Sequence, residues 1–502
     1  MRLSRCLGLC AVLLAAASAA QARTFTVMAY NVENLFDADG QAVFDDYRPS
    51  HYSRAHVLTK LQNIARVVGQ YEGGRGPDVI LLAEIEVDQT PGPVPPDYAA
   101  LLRRYAGVSL EEMLGTKFDA AVADLPAEAL LAKALADRGM TGYQIIAGDT
   151  GPAARPQPPH AQKCVIFTRL PVQAVRVLPT PGARAILEVQ LDADGAPLHV
   201  FANHWKSGAG DAGTEKIRIE NARTLRGRID EILQADPSAD LIIGGDFKSQ
   251  YNQSVRYAAT MPQTGLNDIL RSQGDAVAVR GPQRDLYNLW YEVPAAERGS
   301  DTFRGEWGTL IQLILSRGLL DYRGVQYVAH SFAVGKFSGL NEDAAGRPRR
   351  WSFAGPGGAG CSDHFPLTAR FTTVADGNPD RYLPVARPAP EPTVAPAPAR
   401  PDPRAIDLAR VGLTAAQLPA GAGLRTPAYA GKIIRVEGRV GAGARLTVEF
   451  LGETYDVWSF DAPLRARLRA AYPAGAPLRF YGELGQYKGH WQFVIRDESW
   501  VQ

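Results

Sequence analysis

The sequence predicts an α/β layered sandwich, joined by an extended linker to a small five-stranded barrel. Three observations lead there. Short β-rich runs alternate with helical stretches between Thr24 and Thr373. Eight prolines then fall among the 20 residues 384–403, and beyond them the order is strand, strand, strand, helix, strand, strand.

The composition permits this plan. The chain has 502 residues, of which 46% are hydrophobic and 21% charged, which suits two or three globular domains with a sizeable core. Lys and Arg number 54 against 53 Asp and Glu. Any attraction for a polyanion is therefore local, not global.

The first 22 residues read as an export signal. Arg2 and Arg5 form a basic start, residues 7–17 an apolar stretch and Ala20-Gln21-Ala22 a small-residue cleavage site. The stretch is too short to span a bilayer, and Leu9 before Cys10 argues against a lipoprotein anchor. The expected mature chain starts at Arg23, is secreted or periplasmic, and keeps no stable membrane insertion. Only Cys164 and Cys361 then remain. An oxidising compartment permits a disulfide between them, and two buried free thiols fit equally well.

In residues 23–373, strands are expected at 25–30, 79–82, 164–168, 198–203, 241–244 and 309–315, with helices at 56–70, 127–138 and 215–234. Loops at the strand ends are then available for chemistry. Residues 374–404 form the proline-rich linker. In residues 405–502 strands are expected at 432–440, 445–450, 455–460, 478–484 and 490–496, with a helix at 462–471. That order is the one of an OB-type barrel.

Five motifs place a polar group directly after an apolar run. They are Tyr30-Asn31-Val32-Glu33-Asn34-Leu35-Phe36, Leu82-Ala83-Glu84, Asn203-His204-Trp205, Gly244-Gly245-Asp246-Phe247 and Ser362-Asp363-His364-Phe365. On an α/β sandwich all five lie at the rim of a sheet.

In this order the motifs resemble the metal-dependent endonuclease/exonuclease/phosphatase family, above all its secreted bacterial branch with an Asn-Val-Glu-Asn-Leu-Phe-Asp opening. The resemblance covers about residues 24–373 and implies a four-layered sandwich of the nuclease/phosphatase type. It also implies that Asn31 and Glu84, with Asp363 nearby, serve a Mg²⁺ (or Mn²⁺) site, for which hard oxygen ligands are suited. His204 and His364 would contact phosphate and share in proton transfer, and Asp246 would orient or deprotonate the attacking water.

Three positions depart from the family pattern. Relatives have Asn where Lys248 stands, Asp where Ile311 stands and, in this branch, Asp where Lys163 stands. An ammonium cannot accept a hydrogen bond, and loss of the Asp at 311 is expected to leave His364 without its orienting partner. The metal side survives and the proton-handling side is damaged. Slow turnover is expected, and the double change Lys248→Asn, Ile311→Asp is expected to raise it.

The C-terminal segment resembles OB-fold modules attached to exported nucleases. Residues 405–502 hold twelve Lys/Arg against nine Asp/Glu. Trp458, Tyr487 and Trp491 are candidates to stack on bases and Arg435, Arg439 and Lys488 to meet phosphates, with packing into the barrel as the alternative. Three functions follow. The chain is a nuclease on DNA or RNA, a phosphodiesterase or phosphatase on lipid or inositol phosphates, or a non-enzymatic nucleic-acid-binding protein derived from a nuclease.

Overall fold

Strand β1 (Thr24–Leu35) is buried along nearly its whole length, and its alternation divides it between two layers. Phe25, Val27 and Ala29 face the space between two sheets, whereas Met28, Tyr30 and Val32 face a layer of helices. A strand covered on both sides must be apolar on both, as this one is.

The structure, a computed structural model, describes residues 22–90, 97–148, 160–303, 305–374, 381–385, 402–419, 421–426, 428–443, 445–487 and 490–502. The expected signal segment up to residue 21, linker residues 375–380 and 386–401, and Lys488 lie outside the described residues. The chain divides into two units, Met1–Ala397 and Pro398–Gln502.

The first unit holds α1 (Arg54–Val68), β2 (Val79–Glu86), α2 (Ala127–Ala136), β3 (Gln144–Ala147), β4 (Gln162–Thr168), β5 (Val172–Leu178), β6 (Ile186–Ala193), β7 (Ala196–His204), α3 (Ala212–Ala235) and β8 (Asp240–Asp246). The strands β9 (Ser272–Gln273), β10 (Leu286–Asn288), β11 (Ile311–Leu315), β12 (Gly324–Tyr327), β13 (Ala333–Val334) and β14 (Leu367–Val374) complete its two large sheets. One sheet runs β12-β14-β1-β2-β4-β3 with β13 beside β14, the other β5-β6-β7-β8-β11-β10-β9. The pairs β1/β2 and β7/β8 are parallel.

The sheets pack face to face. Val27, Leu81 and Ile166 of one join Val189, Val200 and Leu313 of the other in a single apolar cluster. On the outer faces, α1 and α2 cover the first sheet through Leu61, Ile64, Leu130 and Leu131. Helix α3 covers the second through Ala222, Leu225 and Ile229. Helix, sheet, sheet and helix make the four layers. Cys164 is buried between the sheets and Cys361 on the helical side, and both thiols are free. No helix among the described residues is long and apolar enough to cross a membrane.

The second unit is a closed barrel of β15 (Ile433–Val440), β16 (Thr447–Phe450), β17 (Glu453–Trp458), β18 (Pro477–Tyr487) and β19 (His490–Val494), with α4 (Ala462–Ala471) between β17 and β18. Around it the strands run β15-β16-β17-β19-β18, with β17 and β19 parallel. Phe493 centres the core, its ring 4.8 Å from Tyr455 and 5.9 Å from Phe480.

Candidate active site

Asn31 lies near the end of β1, Glu84 in β2, and His204 and Asp246 are the last residues of β7 and β8, in register with each other. The four side chains meet where the two parallel pairs end. The backbone there is irregular. Register shifts separate Asn31 from Leu35 and Leu82 from Ile85, and Glu33, Asn34, Glu84 and Lys248 all have positive φ. Bulges and left-handed non-glycine residues gather where side chains have to be aimed at a site.

Asn31 ties the two sheets together. Its amide donates to Glu84 Oε1 at 2.9 Å and to Asp246 Oδ2 at 2.8 Å, while its own oxygen accepts the Glu33 N–H at 2.9 Å. The amide thus aligns the carboxylates and turns its oxygen away from them. Lys248 Nζ lies 2.7 Å from Asp246 Oδ2 and 3.6 Å from Glu84 Oε1. His204 Nε2 lies 3.6 Å from Glu84 Oε1, and His364 Nε2 lies 3.7 Å from Asp246 Oδ2 and 3.6 Å from Asp363 Oδ1. The Ser362 hydroxyl donates to the Asn31 carbonyl and accepts the His364 N–H, which anchors the last motif to the first.

The electrostatics follow from burial and neighbours. Burial opposes ionisation of Glu84 and Asp246, yet Lys248, a histidine each and the Asn31 amide outweigh it and hold both carboxyls down to about 2. His204 is pushed well below the usual imidazole range by burial, helped by Arg184 and Lys248, against the pull of Glu84. His364 is shifted upward, because Asp363, Asp246 and Asp301 prevail over its burial. Burial therefore prevails at His204 and the carboxylates prevail at His364.

Two of the altered positions behave differently from the expectation. Ile311 is fully buried between the sheets, in register with Asp246, but His364 does not lack a carboxylate. Asp301 Oδ1 stands 3.9 Å from His364 Nδ1, and the two residues share a backbone bridge. A carboxylate from another segment thus faces Nδ1 without a direct hydrogen bond, which motif alignment could not reveal. Lys163 is not part of the cluster around Glu84. It is buried, and its ammonium pairs with Glu128 on α2 at 3.0 Å.

Other members of the site carry no sequence signal of this kind. Arg184 interacts electrostatically with Glu84 and Asp246 and donates to the Trp205 carbonyl at 3.3 Å. Arg350 reaches Glu33 at 3.3 Å and Asp363 at 3.4 Å. Glu33 lies inside the opening motif and accepts the Trp351 N–H at 2.7 Å. Burial and the charge of Asp363 lift its carboxyl to about 7.

Three residues form a candidate donor set for a divalent ion. Ligand atoms of Glu84, His204 and Asp246 lie within 4.8 Å of one another. Both ring nitrogens of His204 are buried without a hydrogen-bond partner, as are Asp363 Oδ1 and His364 Nδ1. Orphaned buried polar atoms at one rim fit a site that takes a polar ligand. Asp363 lies outside this donor set, beside His364 and Arg350.

On the barrel, Arg435 pairs with Glu437 at 2.9 Å and Arg439 donates to the Gly475 carbonyl at 3.1 Å. Trp458 is 40% exposed with the Arg465 guanidinium 4.3 Å from its ring, Tyr487 is exposed, and Trp491 is half-buried against the core. The arginines lie on β15 and the tryptophans on β17 and β19, and the described barrel strands that pair with β15 are β16 and β18.

Residues 167–372 match the model of the Endonuclease/Exonuclease/phosphatase family. The matched segment contains His204, Asp246, Ile311, Asp363 and His364, while Asn31 and Glu84 precede it. No curated protein matches the chain. Similar solved structures include TDP2 from Caenorhabditis elegans, at 13% identity and TM-score 0.38, covering 70% of this chain and 74% of that one. An endonuclease/exonuclease/phosphatase from Beutenbergia cavernae is similar at 17% identity and TM-score 0.38, covering 72% of each chain. D. rerio TDP2 complexed with single strand DNA product is similar at 14% identity and TM-score 0.37, covering 70% of this chain and 99% of that one. Residues 167–372 are thus similar to the endonuclease/exonuclease/phosphatase family, within an α/β sandwich that a closed five-stranded barrel follows in the chain.

Proposed function

We propose that the protein is an exported phosphodiester hydrolase of slow turnover, acting on DNA or RNA, with Mg²⁺ or Mn²⁺ held by Glu84, Asp246 and His204. The observation that carries this reading is the convergence of those three residues within 4.8 Å, with His364 Nε2 3.7 Å from Asp246 Oδ2. Nucleic acid is favoured as substrate by the barrel, whose strand order and outward Trp458 suit an OB-type module.

When bound, the ion would neutralise charge developing on the phosphate and the leaving oxygen. The chain's own groups do the rest. Asn31 keeps the two carboxylates in register. Asp246, ionised, accepts a hydrogen bond from the attacking water. His364, biased towards its protonated form, donates to a phosphate oxygen or to the leaving oxygen, and Asp301 orients its ring. His204 would offer the ion a ring nitrogen.

A second reading, a nucleic-acid-binding protein without hydrolysis, is favoured by the Lys248–Asp246 ion pair of 2.7 Å, which engages the oxygen expected to handle water. The test is incubation of the purified protein with plasmid and with labelled single strands of DNA and RNA, in Mg²⁺, Mn²⁺ or EDTA. Slow cleavage that EDTA, Glu84→Gln and His364→Ala each abolish supports hydrolysis. Strand binding without cleavage in any ion supports the second reading.

A further inference from the structure

The ammonium of Lys248 and a divalent ion compete for the same oxygens. Nζ lies 2.7 Å from Asp246 Oδ2 and 3.6 Å from Glu84 Oε1, and those two residues supply two of the three groups in the candidate donor set. We infer that Lys248 is a tethered cation occupying the divalent-ion position, and that it sets how strongly this chain takes up metal. This rests on reading the cleft as a metal-assisted phosphodiester site.

The backbone is shaped for this arrangement. Lys248 follows Asp246 by two residues and has φ 49°, in the left-handed region that a non-glycine residue adopts only when its surroundings hold it. Its own N–H donates to Asp246 Oδ1 at 3.0 Å, which curls the chain back so that the side chain returns over the same carboxylate. The side chain is only 13% exposed.

Asp246 is thereby engaged at both oxygens. Oδ1 accepts the Lys248 N–H, and Oδ2 accepts both the Asn31 amide and the Lys248 ammonium. Asn31 is neutral, and beside Glu84 and Asp246 Lys248 is the largest source of positive charge, ahead of His204 and Arg184 at Glu84 and of His364 at Asp246. An ion binding there has to displace the ammonium or share its oxygens with it, and a competitor tethered two residues away acts at a high effective concentration. Lysine suits the part because it is a compact point charge on a flexible stem and can swing away once displaced. The Asn of relatives carries no charge and makes no such competition.

The test is calorimetric titration of Mn²⁺ alone into the full mature chain as wild type, Lys248→Met, Lys248→Gln and Lys248→Arg, each with and without Glu84→Gln. The Glu84-dependent component isolates this cleft from a second carboxylate cluster formed by Asp37, Asp39 and Asp88. The two neutral variants are expected to bind at least tenfold more tightly than wild type at the Glu84-dependent site, while Lys248→Arg stays close to wild type. In EDTA the neutral variants should melt below wild type, and Mn²⁺ should raise their melting temperature more than it raises that of wild type. Equal Mn²⁺ affinity in wild type and both neutral variants overturns the inference and leaves the metal reading intact. No Glu84-dependent binding in any variant removes the metal reading, and the inference with it.

Discussion

His364 Nδ1 lies 3.9 Å from Asp301 Oδ1, and the same two residues are joined by a backbone bridge. Asp301 is itself held, accepting the Leu310 N–H at 3.1 Å and the Ser300 hydroxyl at 3.2 Å. It is a positioning residue for a histidine whose orientation decides which nitrogen carries the proton. Asp301→Asn should lower the proton affinity of His364, seen as a downward move of its imidazole titration by NMR. A merely structural role would leave that titration in place. Turnover should fall about 10- to 100-fold, the usual cost of losing such a partner.

The same shift gives a pH dependence of stability. Burial works against the charge on His364, but the surrounding carboxylates raise its folded proton affinity above the unfolded value. The stabilisation is therefore complete below the ordinary imidazole range and is lost as pH rises through the folded value. Urea unfolding of wild type and His364→Gln should differ most in mildly acidic solution, with the gap narrowing on the alkaline side.

Ile311→Asp should not restore activity. Ile311 is wholly buried in the apolar layer between the sheets and stands in register with the ionised Asp246. A carboxylate there would be desolvated beside a like charge, and His364 already has Asp301. Thermal melting should report a loss of about 3 kcal/mol or more, the scale of an unpaired buried charge, with no gain in turnover. This reverses the expectation from motif alignment alone.

Gly245→Ala should prevent stable folding. Gly245 has φ 126°, and a Cβ built on it would sit 2.2 Å from the carbonyl oxygen of Asn203 on the neighbouring strand. Neither the strand nor the oxygen can give way, because β7 and β8 are paired through this stretch. Expression in the soluble fraction and far-ultraviolet circular dichroism check this.

Trp458→Ala should weaken binding of single-stranded DNA about tenfold, while Trp491→Ala should chiefly destabilise the barrel. Trp458 is 40% exposed on the outer face of β17, whereas Trp491 packs against the core. Stacking on one base is worth about 1–3 kcal/mol. Fluorescence anisotropy with labelled strands, read beside a melting curve, separates loss of contact from loss of fold.

Local pattern decided much of this protein before any coordinate. The apolar runs of β1, β2, β7 and β8, the three long helical stretches and the order of elements in the barrel all follow from periodicity, which depends only on neighbours in the chain. The five motifs likewise placed Asn31, Glu84, His204, Asp246 and His364 at strand ends, and those residues do meet. What only the tertiary structure decided are relationships across long stretches of chain. Asp301, 63 residues before His364, lies in no motif, and only the backbone bridge brings it to the imidazole. The direction of the Asn31 amide, the return of Lys248 over Asp246 and, elsewhere, the pairing of Lys163 with Glu128 on α2 depend on which side chains packing brings into a buried space. In that space burial makes every charge find a partner, and which partner it finds is set by packing, not by position in the sequence.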